Sequence, residues 1–345
     1  MKEKKQELFQ EIKGKTIAIV YIFEGENAKG FGHYHIWKSN IITPWLLAVQ
    51  QLQGIPLILD VRTFVEKAIC RTLPQIDFVL NLNCGSIELS PMALIPSVCS
   101  FIGVPCIPCD AFSIVTGENK KTSNILAKES GFNVPINLDK SDNTGIYKPL
   151  NLGSSLGVHR NFLNETEGDG IYQEFIPGYD LTIPMIYNPL NKQMDFLPTI
   201  MYVPDNNDLN WFLDENYDDP SNSFHRLIIH SLSDTLMNSC RVLASELNIK
   251  TFCRIDARLK IESPKQCISK ILEQPLQSES VFFLEMNPMP TISTENAFFH
   301  SYSAVSREDC IYNCVTQFRC ELCTDSIHSL VLGCSMMSFY NQMQK

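Results

Sequence analysis

The chain has 345 residues, 44% hydrophobic and 19% charged, which is more apolar material than one core takes up and too little charge for a disordered protein. At about 150 residues per domain, two or three domains are expected. Its 28 basic and 38 acidic residues give a net charge of −10, which disfavours general binding to nucleic acid or an anionic membrane and requires any phosphate ligand to be met by a local cluster of cations. Residues 1–15 are charged and lack the apolar stretch of a signal peptide, and no later run approaches the ~20 apolar residues of a membrane span. Thirteen cysteines, an odd number, are scattered from Cys70 to Cys334. The expectation is a soluble, cytoplasmic protein with mostly reduced thiols.

Residues 16–23 form a short β-rich run entering a loop, as a buried strand does. Residues 44–52 space their apolar side chains helically, stop at Gly54 and lead into a strand at 56–60, with a third strand at 77–81. Strands alternating with helices predict a parallel, wound α/β unit, which closes near a short strand at 104–108. A helix over 120–130, stopped by Gly131, precedes strand-like pieces at 145–149 and 170–175, an α+β region. Residues 205–223 are rich in Asp, Asn and Pro and read as a long loop of the lid or binding kind, and 227–247 have the periodicity of a long helix.

Chemistry concentrates in residues 252–259, FCRIDARL, where charged and apolar residues alternate after Phe252. In a strand, Arg254, Asp256 and Arg258 share one face, and Cys253, Ile255, Ala257 and Leu259 share the other. Residues 281–287, VFFLEMN, likewise place Glu285 and Asn287 together. Pairing of the two strands brings Asp256, Glu285 and Asn287 into one place. Two carboxylates and an amide oxygen are a hard donor set, suited to Mg²⁺ held partly through substrate phosphates rather than to zinc. On these residues alone, a surface hairpin carrying ordinary charges is the other reading. Upstream, Lys148 ends a strand and is followed by LNLGSSLGV, whose glycines let the backbone approach a ligand and whose hydroxyls and amides can cradle phosphate, or which is simply a flexible turn. The strand IYQEFI then runs into Pro177 to Asp180, where side chains can flank an adenine and Asp180 can accept from ribose hydroxyls.

In this order, NKKTSNILAKESGFNVP, YKPLNLGSSLGV, YQEFIPGYDLT, CRIDARL and FLEMNPMPTIS resemble the ATP-grasp superfamily and, within it, the D-alanine:D-alanine ligase family, over roughly residues 80–293. The resemblance implies an α/β, three-domain ATP-grasp fold: an N-terminal wound domain over 1–110, a central α+β lid subdomain over 111–204, and a C-terminal α+β catalytic subdomain over 205–345 with a Cys-rich helical tail. It implies that Lys120 and Lys148 contact ATP phosphates and that Ser154 and Ser155 lie in a mobile loop closing over them. Gln173, Glu174, Phe175 and Ile176 resemble the adenine-binding stretch, with Asp180 in the ribose position. Arg254 resembles the arginine that stabilises the transition state, and Asp256, Glu285 and Asn287 match ligands of Mg²⁺, two ions being expected and Mn²⁺ the other option. The implied activity is ATP-dependent joining of a small-molecule carboxylate to an amine, both amino-acid-like, through an acyl phosphate. A homodimer is the state common among such proteins.

Departures fall at the substrate end. Cys84-Gly85 stands where the family has His-Gly, residues 24–35 stand where a glutamate is usual, and Thr291 stands where glycine follows NPMP. No serine for the second substrate's carboxylate is identifiable near 294–298. No lysine occurs between Lys192 and Lys250, which leaves Arg226 or His225 to stand in for the lid lysine that reaches the phosphates. These changes argue against D-alanine as both substrates. Two other readings stand beside a divergent ligase: a true D-alanine:D-alanine ligase, and a nucleotide-binding protein without catalysis. His33 and His35 either line an acceptor pocket or decorate an exposed loop, and Trp211, Phe212 and Tyr217 either cover substrate or anchor their loop. Cys310, Cys314, Cys320, Cys323, His328 and Cys334 pose structural zinc against cysteines buried as small hydrophobes.

Overall fold

A computed structural model describes residues 10–23, 37–83, 91–139, 144–153, 155–160, 169–189, 191–213, 223–262, 268–294, 296–305 and 326–343. The first unit runs β1 (Thr16–Tyr21), α1 (Ser39–Gln51), β2 (Ile55–Asp60), α2 (Val61–Ile69), β3 (Phe78–Asn81), α3 (Leu94–Ile102) and β4 (Cys106–Ile107). Its four strands are parallel in the order β2-β1-β3-β4. Ile17, Ala18, Ile19 and Val20 are fully buried, as a central parallel strand covered on both faces requires. Asp60 ends β2 and caps α2 by accepting from the Arg62 N–H, and α3 stops at Gly103 in the left-handed region.

α4 (Ala111–Glu118) and α5 (Lys120–Glu129) follow, hinged at Asn119, whose side chain accepts from the Thr122 N–H at 3.0 Å. That cap sets Lys120 as the first residue of α5. Next comes a small antiparallel sheet, β6-β5-β7, made of β5 (Ile146–Pro149), β6 (His159–Arg160) and β7 (Gly170–Gln173). The larger antiparallel sheet takes β8 (Gly178–Asn188), β9 (Gln193–Phe196), β10 (Thr199–Pro204), β11 (Phe224–Ile229), β12 (Phe252–Lys260) and β13 (Val281–Asn287). Its order is β11-β10-β8-β12-β13, with β9 also on β8. α6 (Asp234–Glu246), α7 (Ile268–Leu272), α8 (Ala297–Ala304) and α9 (Ile327–Met343) complete the order. Leu181, Ile183, Cys253, Ile255 and Ala257 turn one face of this sheet onto Leu236, Cys240 and Leu243 of α6. α9 joins the first unit through Leu330 and Val331 packed in one core with Ile42 and Trp45 of α1. Strands from both sides of residue 204 share the larger sheet. The division of the chain at 110 and 204 is retained as a proposal.

One expectation is corrected. The long helix read over 227–247 is a strand, β11, followed by a shorter helix that starts at Asp234. Residues 224–229 pair with β10 along its whole length, and that tertiary ladder overrides a local helical spacing. Ser233 marks the true start of the helix, its hydroxyl accepting from the Leu236 N–H at 3.3 Å. Among the described residues, Cys99, Cys106, Cys109, Cys240, Cys253 and Cys334 are buried and Cys70 is exposed, all as free thiols. Cys310, Cys314, Cys320 and Cys323 lie outside the described residues. The His328 ring nitrogen Nε2 lies 3.0 Å from the Ile292 carbonyl, and the ring packs edge-on to Trp45. No helix among the described residues is long and apolar enough to cross a membrane.

Candidate active site

β12 and β13 pair antiparallel with Arg254 opposite Asn287 and Asp256 opposite Glu285, and the ladder bulges between Asp256 and Ala257. The alternation in FCRIDARL thus acts as expected: Cys253, Ile255 and Ala257 are fully buried, while Arg254, Asp256 and Arg258 face a cleft of about 270 Å³ that Glu285 and Asn287 also line. Arg254 donates from Nε (2.9 Å) and Nη2 (2.7 Å) to a single oxygen, Asp256 Oδ2, while Thr182 Oγ1 donates to Oδ1 at 2.7 Å. The Asn287 side-chain oxygen accepts from the Met289 N–H at 3.1 Å, which fixes the orientation of its amide.

Two lysines reach the same place from the other side. Lys120 and Lys148 are 4% and 6% exposed, and Lys120 Nζ lies 3.1 Å from Glu285 Oε2 while also donating to the Leu152 carbonyl. Burial, with the neighbouring Lys120 charge adding to it, pulls Lys148 down to about 8 from an ordinary 10.5. Burial pushes Asp256 upward and the Glu285 charge adds to the push, against the pull of Arg254. For Glu285, burial acts upward too, but Lys120, Arg254 and Lys148 outweigh it and hold the carboxyl below its ordinary value. A third carboxyl, Glu118, was not found from the sequence. Burial, with Glu285 adding repulsion and Lys120 opposing, pushes it up to about 8.

The donor set fits a divalent cation. Asp256 and Glu285 face each other across one strand pair, and their mutual repulsion is what a hard cation relieves. In this structure Arg254 and Lys120 supply the countercharge at Asp256 Oδ2 and Glu285 Oε2. No group of three His, Cys, Asp or Glu side chains placed for a metal occurs among the described residues, so a cation held by Asp256 and Glu285 would need a non-acidic third donor such as the Asn287 amide.

At the other end of the cleft, Glu174, Phe175 and Ile176 line the wall beyond β7, with Glu174 Oε1 accepting from the Ile136 N–H at 2.9 Å. The Phe175 ring has the guanidinium carbons of Arg160 and Arg258 at 4.1 and 4.7 Å from its centroid. Gln173 is 1% exposed; its side chain is turned to the Pro135 carbonyl, and its Oε1 has no partner among the described residues. Both oxygens of Asp180 are engaged, one by Arg258 Nη1 and one by the Leu213 N–H, each at 2.7 Å. Ser155 adopts a left-handed φ of 57° and donates its hydroxyl to the Leu213 carbonyl at 2.7 Å. Leu213 is therefore held through both of its backbone groups. Arg258 had a face but no role in the sequence. It donates to the carbonyls of Ile176, Gly178, Leu209 and Trp211, which ties the 209–213 segment to the floor of the cleft. Trp211 packs on Phe224 at 5.5 Å, and Phe212 lines the cleft. Ser154, His33, His35, Cys84 and Tyr217 lie outside the described residues.

No family model matches the sequence, and no curated protein does. Solved structures do. The D-alanine–D-alanine ligase from Bacillus anthracis is similar over 93% of this chain and 98% of its own, at 13% identity and a TM-score of 0.54. The same enzyme complexed with ATP is similar at 14% identity and a TM-score of 0.53. The VanG D-Ala:D-Ser ligase from Enterococcus faecalis is similar over 90% of this chain and 99% of its own, at 13% identity and a TM-score of 0.57. At these identities the likeness is one of fold, and it covers nine-tenths or more of the chain: this protein has the three-domain ATP-grasp fold of the D-alanine–D-alanine ligases.

Proposed function

We propose that the chain is a cytoplasmic ATP-dependent carboxylate–amine ligase that forms a peptide or amide bond between amino-acid-like substrates through an acyl phosphate. The observation that carries this reading is the meeting, on one sheet face, of two buried lysines, Arg254 and the Asp256–Glu285–Asn287 set. ATP is the nucleotide of choice because a neighbour of the same fold is complexed with it. Asp256, Glu285 and Asn287 would hold Mg²⁺, as two ions, or Mn²⁺, and such an ion supplies charge neutralisation on a transferring phosphoryl group.

The chain's own residues do the rest. Lys120 and Lys148 neutralise phosphate oxygens, Lys120 moving off Glu285 to do so. The substrate carboxylate forms a bond to the γ-phosphorus as the bond to ADP breaks, and the amine then attacks the acyl carbon, expelling phosphate and losing a proton. Arg254 leaves Asp256 to stabilise the oxyanion of that second step. Ser155, tied to Leu213, and its neighbour Ser154 keep the loop closed, so that water does not consume the acyl phosphate. Phe175 and Ile176 flank the base, and Asp180 shapes the ribose end through Arg258 and Leu213.

ADP release measured with ATP and Mg²⁺ over a matrix of D- and L-amino acids and simple amines tests the reading. A pair that drives release and yields a product equal in mass to the two minus water supports it. Release driven by D-alanine alone makes the enzyme a D-alanine–D-alanine ligase. Nucleotide binding without release for any pair assigns the chain to catalytically silent nucleotide binding.

A further inference from the structure

Resting on the ligase reading, we infer that the β10–β11 end of the cleft takes an amino acid with an aromatic side chain, and that Arg226 reads its carboxylate. Arg226 and Tyr202 are directly opposed on β11 and β10, Tyr202 opposes Asp180 on β8, and Asp180 opposes Arg258 on β12. Strands lie about 4.8 Å apart, so the backbone of Arg226 stands roughly 14 Å from that of β12 and farther from Glu285 on β13. Even an extended arginine covers only part of that span. Arg226 therefore stands apart from the Lys120–Glu285 pair.

The two cations left open by the sequence are now distinguishable. His225 points away, its Nε2 3.1 Å from Asp205 and its side chain 72% exposed. Arg226 lines the cleft, and no ion pair with an acidic residue forms at it among the described residues. Its guanidinium carbon lies 5.0 Å from the Phe224 ring centroid, a contact that leaves its hydrogen-bond donors for an anion. Burial and the charge of Arg226 both hold nearby His300 below its ordinary value, which places His300 close to the guanidinium. The walls beside it are aromatic. Tyr202 and Phe224 meet edge-on at 5.7 Å and both line the cleft. Thr291 and Asn296 close that end, with the Asn296 side-chain amide donating to the Thr291 carbonyl at 3.3 Å. A planar anion reader beside two rings matches a carboxylate next to an aromatic side chain, and it would leave the methyl group of alanine in a poorly filled space.

The test is calorimetric binding to the whole chain with Mg²⁺ and the non-hydrolysable analogue AMP-PNP, using D- and L-phenylalanine, D- and L-alanine and phenethylamine as probes. One enantiomer of phenylalanine is expected to bind at least about tenfold more tightly than alanine, and more tightly than phenethylamine, which lacks the carboxylate. Arg226→Met should erase the preference over phenethylamine while AMP-PNP affinity is unchanged, and Arg226→Lys should restore part of it. Alanine binding as tightly as phenylalanine overturns the inference, as does an Arg226→Met variant that loses AMP-PNP affinity and keeps phenylalanine. AMP-PNP binding with no phenylalanine preference overturns it and leaves the ligase reading standing. Phenylalanine preference without AMP-PNP binding supports it and overturns the ligase reading.

Discussion

β12 carries two arginines on one face, four residues apart, each beside an aspartate, and they are held in opposite ways. At one end Arg258 is 3% exposed and distributes its donors over four backbone carbonyls and Asp180. At the other, Arg254 directs both Nε and Nη2 to one oxygen of a side chain that itself faces the cleft. A guanidinium satisfied by main-chain acceptors cannot leave without stranding them, so Arg258 is scaffold. One held by a single carboxylate can change partners when another cation takes that carboxylate, which is why the proposed catalytic role falls to Arg254. Burial and an acidic neighbour do not separate the two roles; the identity of the remaining acceptors does.

The hardest test of this contrast removes the partner of the poised end. Asp256→Ala or Glu285→Ala should abolish ADP formation in a chain that still folds, with some loss of stability because Arg254 or Lys120 is left without its carboxylate; retained turnover would break the metal assignment. Next, the two arginines should fail differently. Arg258→Met should cost about 3–5 kcal/mol in denaturant unfolding, because it strands Asp180 and the carbonyls. Arg254→Met should instead lower kcat by roughly 10²–10³-fold with little loss of stability. Equal stability losses would erase the distinction.

Two further buried groups sharpen it. His328 is pulled down to about 4 by burial, although its bond to the Ile292 carbonyl acts the other way. The unfolded chain takes up this proton near 6.5, so between pH 6.5 and about 4 the unfolded state holds more protons and stability falls as pH falls, by about 3 kcal/mol in all. Unfolding curves across that range should show the slope, and His328→Gln should flatten it. Lys148 belongs to the poised class. With its pKa near 8 it loses charge above that pH, where an ordinary lysine keeps it, so AMP-PNP affinity should weaken by up to about tenfold per pH unit above 8, with proton uptake on binding. Lys148→Met should bind weakly at all pH values and show no slope; a slope that survives this change assigns the effect to another group.

Much of the site was legible because its residues lie on elements with strong local periods. Strict alternation in FCRIDARL fixes which side chains share a face, and the helix starting at Lys120 follows from its local spacing. The ordered motifs carried the fold. Residues 227–229 were misread because LII suits a helix or a half-buried strand, and only the partner strand β10 decides. Glu118 and Thr182 escaped because neither carries a motif, and their importance lies in neighbours far along the chain, Glu285 and Asp256.

By itself, then, the sequence determined the alternation in FCRIDARL, the start of the helix at Lys120, the order of the phosphate-facing and carboxylate-bearing segments, and the absence of a lysine between Lys192 and Lys250. Tertiary structure alone decided that Asp180 is committed to Arg258 and Leu213, that Arg258 is a tie rather than a catalyst, and that Arg226 rather than His225 lines the cleft. The reason is physical. Side-chain direction is a property of the local backbone period, whereas countercharge, burial and hydrogen-bond partners depend on strand order and register, which bring together residues scores of positions apart.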